Sequence, residues 1–437
     1  MRIVFAGPQL GAVSDLAVAL QSLGHDVAAL LPYDEAAAGR TRSTRVKIPV
    51  RVGGGRVTGE ILLASGPENL PCYLIRSGET PPPDTSARGI FHSQTVVELA
   101  RRLVPAPDVL QLSGWEAGLA PAYARLSNLP FRTVLEIHEV THQGSFDGSD
   151  FASAHLPTGF FSPGGVEFFG RMNFLKGGLV LADAWTVNGT STLAALRQEP
   201  AGHGLSTVIA EQSYKCAPML RAADAAPRFS DDKAADRSAL LSLLGVAKTA
   251  RGSIVVLDRT TTEGGDGHLP AILDRWIATD TIFVCVTLRR TESAALEAAA
   301  RRSPKPVHIL RQPDDETRRR VVAGADFQIF PAAPSVDFTR GALHAMRCGT
   351  IPLAPDHPGR AEIFGDCASG AERGEGLVWF LDSADALWDT ALRATELFRH
   401  VGRLGAVRRR AVERATGITA ASLAEAHVAL YHRLGVA

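Results

Sequence analysis

Carboxylates and imidazoles crowd one short part of this sequence. Glu136, His138, Glu139 and His142 follow each other closely, with Gln143 beside them and Glu116 upstream. Such groups suit acid–base work and the binding of amines or hydroxyls, while the default for an exposed loop carboxylate is simply to be solvated. Asn173 and Lys176, three residues apart, share one helix face, where they would meet a ligand or cap and pair locally. Other combinations carry less. Asp147 and Asp150 in Ser145-Phe146-Asp147-Gly148-Ser149-Asp150 only superficially resemble a calcium loop, so no metal site is expected. No Ser-His-Asp or Cys-His set is placed by spacing. Gly53–Gly55 lacks the strand–loop–helix setting of a phosphate cradle and reads as a hairpin turn. Arg318–Arg320 and Arg408–Arg410 read as solvated helix faces.

The hydrophobic pattern supplies a scaffold for these groups. Short apolar runs, Ile3–Ala6, Val27–Leu31, Tyr73–Ile75, Val109–Leu112, Thr133–His138 and Trp185–Asn188, alternate with helical periodicities at Val13–Leu23, Gln94–Leu103 and Gly118–Leu126. Strands apolar on both faces, separated by helices, predict a parallel sheet covered on both sides. The pattern weakens between about Glu211 and Arg251 and then restarts with Ile254–Leu257, Ile282–Val286, Val307–Leu310, Phe327–Phe330, Ile351–Ala354 and Leu377–Leu381. Two βα series predict two Rossmann-like domains facing across a cleft. The expected division is 1–212, a linker at 213–250, a nucleotide-binding domain at 251–415, and a last helix within 416–437 packing back on the first domain. In such sheets ligands sit at the carboxyl ends of the strands, which directs attention to the loops after Ala6, Leu112, His138, Leu257 and Phe330.

A chain of 437 residues is too long for one compact core. Lys+Arg and Asp+Glu both number 46, so no global field draws the protein to nucleic acid or an anionic membrane. Only six of those cations are lysines, which makes each lysine missing from a phosphate site conspicuous. Five scattered cysteines with no CxxC pair suggest reduced thiols, and with no leader-like or membrane-length apolar run the expected location is cytoplasmic.

Several segments resemble bacterial glycogen synthases and plant starch synthases. Pro107-Asp108-Val109-Leu110-Gln111-Leu112-Ser113-Gly114-Trp115-Glu116-Ala117-Gly118-Leu119-Ala120-Pro121-Ala122-Tyr123 is similar to their PDVVHxHDWHTGLAPAY stretch, and Glu136-Ile137-His138-Glu139-Val140-Thr141-His142-Gln143-Gly144 to TIHNLAYQG. Val166–Gly178 resembles LEFYGxINFLKAG, and Ala182-Asp183 with Thr186-Val187-Asn188 resembles ADxxTTVSP. Gly324-Ala325-Asp326 and Ala345–Pro352 resemble GGAD and AMRYGTIP. The resemblance implies an α/β fold of the GT-B class. It also implies retaining transfer from a nucleotide-activated donor to a sugar-like acceptor, with no cofactor and no required metal. His138 would sit by the transferred ring. Gly114, Trp115, Glu139, Gln143, Asn173 and Asn188 would line the sugar and acceptor side. Neither nucleic acid nor membrane is an expected partner, and the oligomeric state stays open.

The same resemblance exposes departures. The family's KTGGLADV loop becomes Pro8–Asp15, which keeps Gly11 for the donor diphosphate but has no lysine. The sugar-contacting Asp of HDWH becomes Gly114, flanked by Ser113 and Glu116. SRLTxQKG becomes Asp258–Gly265, where Arg259 survives and the phosphate-binding lysine is Gly264. EPCGL becomes Val336-Asp337-Phe338-Thr339-Arg340. Asp337 would replace the lost Glu as a catalytic group. A helix starting near Thr339 would hold the diphosphate through its backbone N–H groups, with Arg340 adding charge-assisted bonds. Removing cations from a leaving diphosphate raises the barrier, so these departures point to another donor in specialised biosynthesis. One version is an acarbose-type pseudoglycosyltransferase joining an activated cyclitol to an amino sugar through a C–N bond. Alternatives are an ordinary ADP-glucose-dependent glycogen synthase and a non-catalytic binding protein.

Overall fold

A computed structural model describes all 437 residues except 9–13, 35–40, 79–84, 221–231, 260–265, 288–293, 304, 306, 332–335 and 368–372. Gly11 and Gly264 therefore lie outside the described residues. The chain forms two compact units, Met1–Leu220 with Ala420–Ala437, and Arg221–Thr419. The last helix, Ala420–Arg433, thus belongs to the first unit, where Tyr431 Oη donates to Gln111 at 3.0 Å.

The first unit holds a nine-stranded sheet. Its strands are β1 (Arg2–Ala6), β2 (Asp26–Pro32), β3 (Arg42–Val52), β4 (Gly55–Ser65), β5 (Pro71–Arg76), β6 (Val109–Ser113) and β7 (Arg132–Ile137). A small separate sheet contains β8 (Ser145–Asp147), β9 (Glu167–Phe168) and β10 (Arg171–Asn173), and the main sheet resumes with β11 (Ala184–Asn188) and β12 (Cys216–Met219). The order is β12-β11-β7-β6-β1-β2-β5-β4-β3. All pairings from β12 to β5 are parallel, and β3 and β4 add an antiparallel hairpin at one edge. Gly53 turns that hairpin with φ +58. The hairpin strands are exposed along much of their length, so they lack the apolar runs that mark the buried strands.

The second unit holds β13 (Ser253–Asp258), β14 (Thr281–Thr287), β15 (His308–Arg311), β16 (Phe327–Ile329), β17 (Ile351–Pro355) and β18 (Leu377–Trp379) in the order β15-β14-β13-β16-β17-β18, all parallel. In both units the chain order reverses beside the first strand, between β1 and β6 and between β13 and β16. These crevices are where doubly wound sheets bind ligands. The α/β architecture of two Rossmann-like sheets is the one expected. The stretch expected as a linker differs: β12 extends the first sheet and the helix Lys233–Leu243 packs on the second unit. Both elements are short and only partly apolar, so periodicity alone underrates them. The Ala-Asp-rich segment within it lies outside the described residues. Among the described residues no helix is long and apolar enough to cross a membrane.

Buried charges hold the amino-terminal edge of the second unit's sheet. Asp326, at the amino end of β16, accepts from Arg237, from Arg408 at 2.5 Å and from the Ile254 N–H at 2.8 Å. Lys233 donates to Ala323 O at 2.6 Å, Thr350 Oγ1 at 2.7 Å and Cys348 O at 3.1 Å. Burial, with the Arg408 charge adding to it, pushes its pKa down to about 7. Removing one member of a buried pair leaves the other charge uncompensated, so Asp326→Ala should destabilise the second unit by ~3 kcal/mol or more, read by urea unfolding. Lys233 binds its proton less tightly in the folded chain than in the unfolded one. Wild type should therefore gain stability relative to Lys233→Met as pH rises from ~7 to ~9.5. A constant difference across that window would show that Lys233 titrates normally.

Candidate functional site

Beside the first unit's β1/β6 crevice, β6 pairs with β7. Their parallel register sets Ser113 opposite Glu136, and alternation along β7 puts Glu136 and His138 on the same face. As a result Ser113 Oγ meets His138 Nε2, and His138 Nδ1 lies 3.8 Å from Glu136 Oε1. Ser113 is buried, and the His138 and Glu136 side chains are only 13% and 12% exposed. At 3.8 Å the Glu136 carboxylate is beyond hydrogen-bond distance and acts on the ring through its charge. The spacing of residues placed no such cluster, and the fold brings Ser113, His138 and Glu136 together.

The chain leaves β6 through Gly114, at φ 81 and ψ 165, a backbone region essentially reserved for glycine. A Cβ there would lie 2.9 Å from Glu116 Oε2. Glu116 therefore brings its carboxylate to the place that a side chain at 114 would enter. The carboxylate that the resemblance shows missing at 114 has a spatial substitute two residues on. Ser93 Oγ donates to the Glu116 carbonyl at 2.7 Å and anchors this turn.

The other expected sugar-side residues are placed as follows. Trp115 packs edge-on to Phe174 and tilted to Phe146, with ring centroids 5.7 and 5.6 Å away, and a Cβ on Gly144 would collide with its ring. Its ring is therefore a wedge beneath the turn. Glu139 is exposed and binds Thr141 at 3.1 Å and His142 at 3.0 Å. Gln143 donates to Val140 O and His203 O, both at 2.9 Å, and accepts from Asn173 Nδ2 at 2.7 Å. Asn173 also caps the helix Phe174–Leu181 through Lys176 N at 2.9 Å. Lys176 is buried and donates to the carbonyls of Pro163 and Gly165, and burial lowers its pKa. Gln143, Asn173 and Lys176 thus tie loops together. Asn188 ends β11 at the carboxyl edge, before Gly189 at φ 87 and ψ 163.

The second unit's expected diphosphate residues lie at its own crevice edge. Arg259 follows β13, and its guanidinium pairs with Asp266; the two side chains are 11% and 7% exposed. A neighbouring carboxylate thus already offsets the charge expected for a phosphate. The helix begins at Val336, three residues before the expected start at Thr339. Thr339 is buried and Arg340 exposed in its early turns. Asp337 lies in the first turn, and its side chain is outside the described residues. Among the described residues no group of three or more His, Cys, Asp or Glu is placed to hold a metal ion.

The two doubly wound sheets are those of the GT-B fold, and the similarities that follow make the chain a glycosyltransferase. Residues 10–211 match the family described as the starch synthase catalytic domain. The glycogen synthase of Opitutus terrae is 27% identical over 95% of this chain and 94% of its own length. Glycogen synthase 2 of Geobacter metallireducens is 26% identical over 89% of each chain. The catalytic domain of starch synthase IV from Arabidopsis thaliana, solved with ADP and acarbose bound, shares the fold with a TM-score of 0.84 at 18% identity over 99% of both chains. The chain is thus similar to glycogen and starch synthases, with the family match confined to the first unit.

Restoring the family's aspartate at 114 conflicts with the local backbone. Gly114→Asp is expected to lower stability by ~1–3 kcal/mol in thermal unfolding, because an L-residue is strained in this conformation. It should not raise ADP-glucose turnover, since the new side chain meets Glu116. A stable Gly114→Asp protein with higher turnover would refute this account of the turn.

Proposed function

We propose that this protein transfers a hexosyl group from a nucleoside diphosphate sugar to a hydroxyl of an α-glucan-like acceptor, as a glycogen synthase does. Retention at the transferred carbon and independence from metal are part of the proposal. The observation that carries it is the buried Ser113–His138–Glu136 arrangement with the Glu116 carboxylate at the β1/β6 crevice. These groups suit holding ring hydroxyls. The hydroxyl of Ser113 and the two carboxylates offer directional acceptors in a dry setting, where each bond discriminates strongly. In the second unit, the N–H groups opening the helix Val336–Arg347 and the Arg340 charge suit a leaving diphosphate. In this scheme the leaving phosphate takes the acceptor proton, so no protein base is needed.

The relatives' names favour the glycogen synthase reading over specialised biosynthesis. Two observations support a second reading in which the donor is not ADP-glucose. The sugar-side carboxylate comes from 116 rather than 114, and Arg259 is committed to Asp266. A changed nucleotide or a cyclitol donor, including C–N coupling to an amino sugar, falls under this reading.

Thermal shift against ADP-, UDP-, GDP- and dTDP-sugars tests both. A cognate donor at a hundred times its Kd should raise the midpoint by about 5–10 °C. Elongation of glycogen from labelled ADP-glucose would establish the first reading. Binding of a different nucleotide sugar without glycogen elongation would establish the second. No stabilisation by any nucleotide sugar would overturn transferase activity in favour of a non-catalytic role.

A further inference from the structure

A second polar cavity opens in the first unit, away from the β1/β6 crevice. It has a volume of about 70 Å³ and lies at the carboxyl ends of β2 and β5, under the first turns of the helix Ser86–Arg102. That is room for about two water molecules, which also suits one tetrahedral oxyanion. Tyr33, Arg76, Ser77, Arg88, Phe91 and His92 line it.

Its charges are unevenly satisfied. Arg76 pairs with Glu60 at 2.7 Å and lies over the Tyr33 ring. Arg88 lines the same cavity and has no ion pair among the described residues. His92 is 4% exposed, and its Nε2 is buried with no protein hydrogen-bond partner. A buried polar atom left without a partner calls for a bound group. Burial, with the Arg88 charge adding to it, pushes the His92 pKa down to about 4. The ring is therefore neutral near pH 7 and able to present an Nε2–H donor. A guanidinium with no ion pair among the described residues and a buried ring donor, both lining one small space, favour a negatively charged acceptor.

We propose that this cavity binds a tetrahedral oxyanion, a phosphate group held by Arg88 and His92. Strands lie ~4.8 Å apart, and β6 is two to three strands from β2 and β5, so the cavity is roughly 10–14 Å along the same sheet edge from Ser113. At that separation, a phosphate carried on the distal part of an acceptor reaches the cavity while its other end lies at the β1/β6 crevice. This assignment to the acceptor rests on the transferase reading above. The anion binding itself does not.

The test is calorimetric titration of the full chain, in a buffer free of phosphate and sulfate, with inorganic phosphate, glucose 6-phosphate and glucose. Phosphate and glucose 6-phosphate should bind and glucose should not. Arg88→Gln should weaken binding by about tenfold to a hundredfold, and Arg88→Lys by less. Unchanged thermal unfolding of both variants shows that they fold. The His92 imidazole signals in NMR titrations should shift to a higher pKa with phosphate bound, because an adjacent anion favours the charged ring. Tighter binding of glucose 6-phosphate than of phosphate assigns the group to a sugar ligand, and equal binding assigns it to the free anion. Failure of both to bind, or binding unchanged in Arg88→Gln, overturns the site. Nucleotide binding is measured separately, so this failure is distinct from failure of the transferase reading.

Discussion

The parallel pairing of β6 with β7 is the constraint on which the candidate site depends. It places Ser113 opposite Glu136, and the strand's two-residue alternation then delivers His138 to the same face. A one-residue slip would send Glu136 and His138 to the opposite face and separate all three groups. The register is secured by burial on both faces of the sheet: Leu110, Leu112, Val134, Leu135 and Ile137 are all buried. The apolar core therefore sets the polar geometry.

Around that pairing, glycine and aromatic residues decide where the carboxylates point. Gly114 turns the chain in a conformation closed to other residues, and Trp115 wedges against Phe146, Phe174 and the bare backbone of Gly144. Together they turn Glu116 back toward the end of β6. Polar residues with no free capacity brace the surrounding loops. Asn173 is spent on a helix cap and on Gln143, and Lys176 on loop carbonyls. The arginines follow the same logic. Arg237 and Arg408 are committed to Asp326 and Arg259 to Asp266, whereas Arg88 has no ion pair among the described residues.

Much of the fold was legible because buried parallel strands leave continuous apolar runs. β1, β2, β6, β7, β13, β14 and β17 all lie within a residue or two of where those runs suggested. The strands β3, β4 and β12 were not, although Gly53–Gly55 was read as the hairpin turn it is, because half-exposed strands carry mixed patterns. The helix opening at Val336 was placed three residues late, although Ser335 before it is a residue type that favours helix starts. In the site, His138 stood out by type and position. Glu116 did not, since an exposed loop carboxylate looks the same in sequence whether it is solvated or aimed. The i,i+2 spacing of Glu136 and His138 was the one available clue to Ser113.

By itself the sequence determined the fold class, the two βα series and the resemblance to glycogen and starch synthases, because these rest on local periodicity and on ordered motif residues. Only the tertiary structure decided which polar groups meet. Strand order and register bring Ser113 to His138, a glycine-only turn brings Glu116 to the vacated position at 114, and the Asp266 partner withdraws Arg259. Each is a contact between residues whose separation in sequence carries no trace of their separation in space, so no reading of spacing alone reaches it.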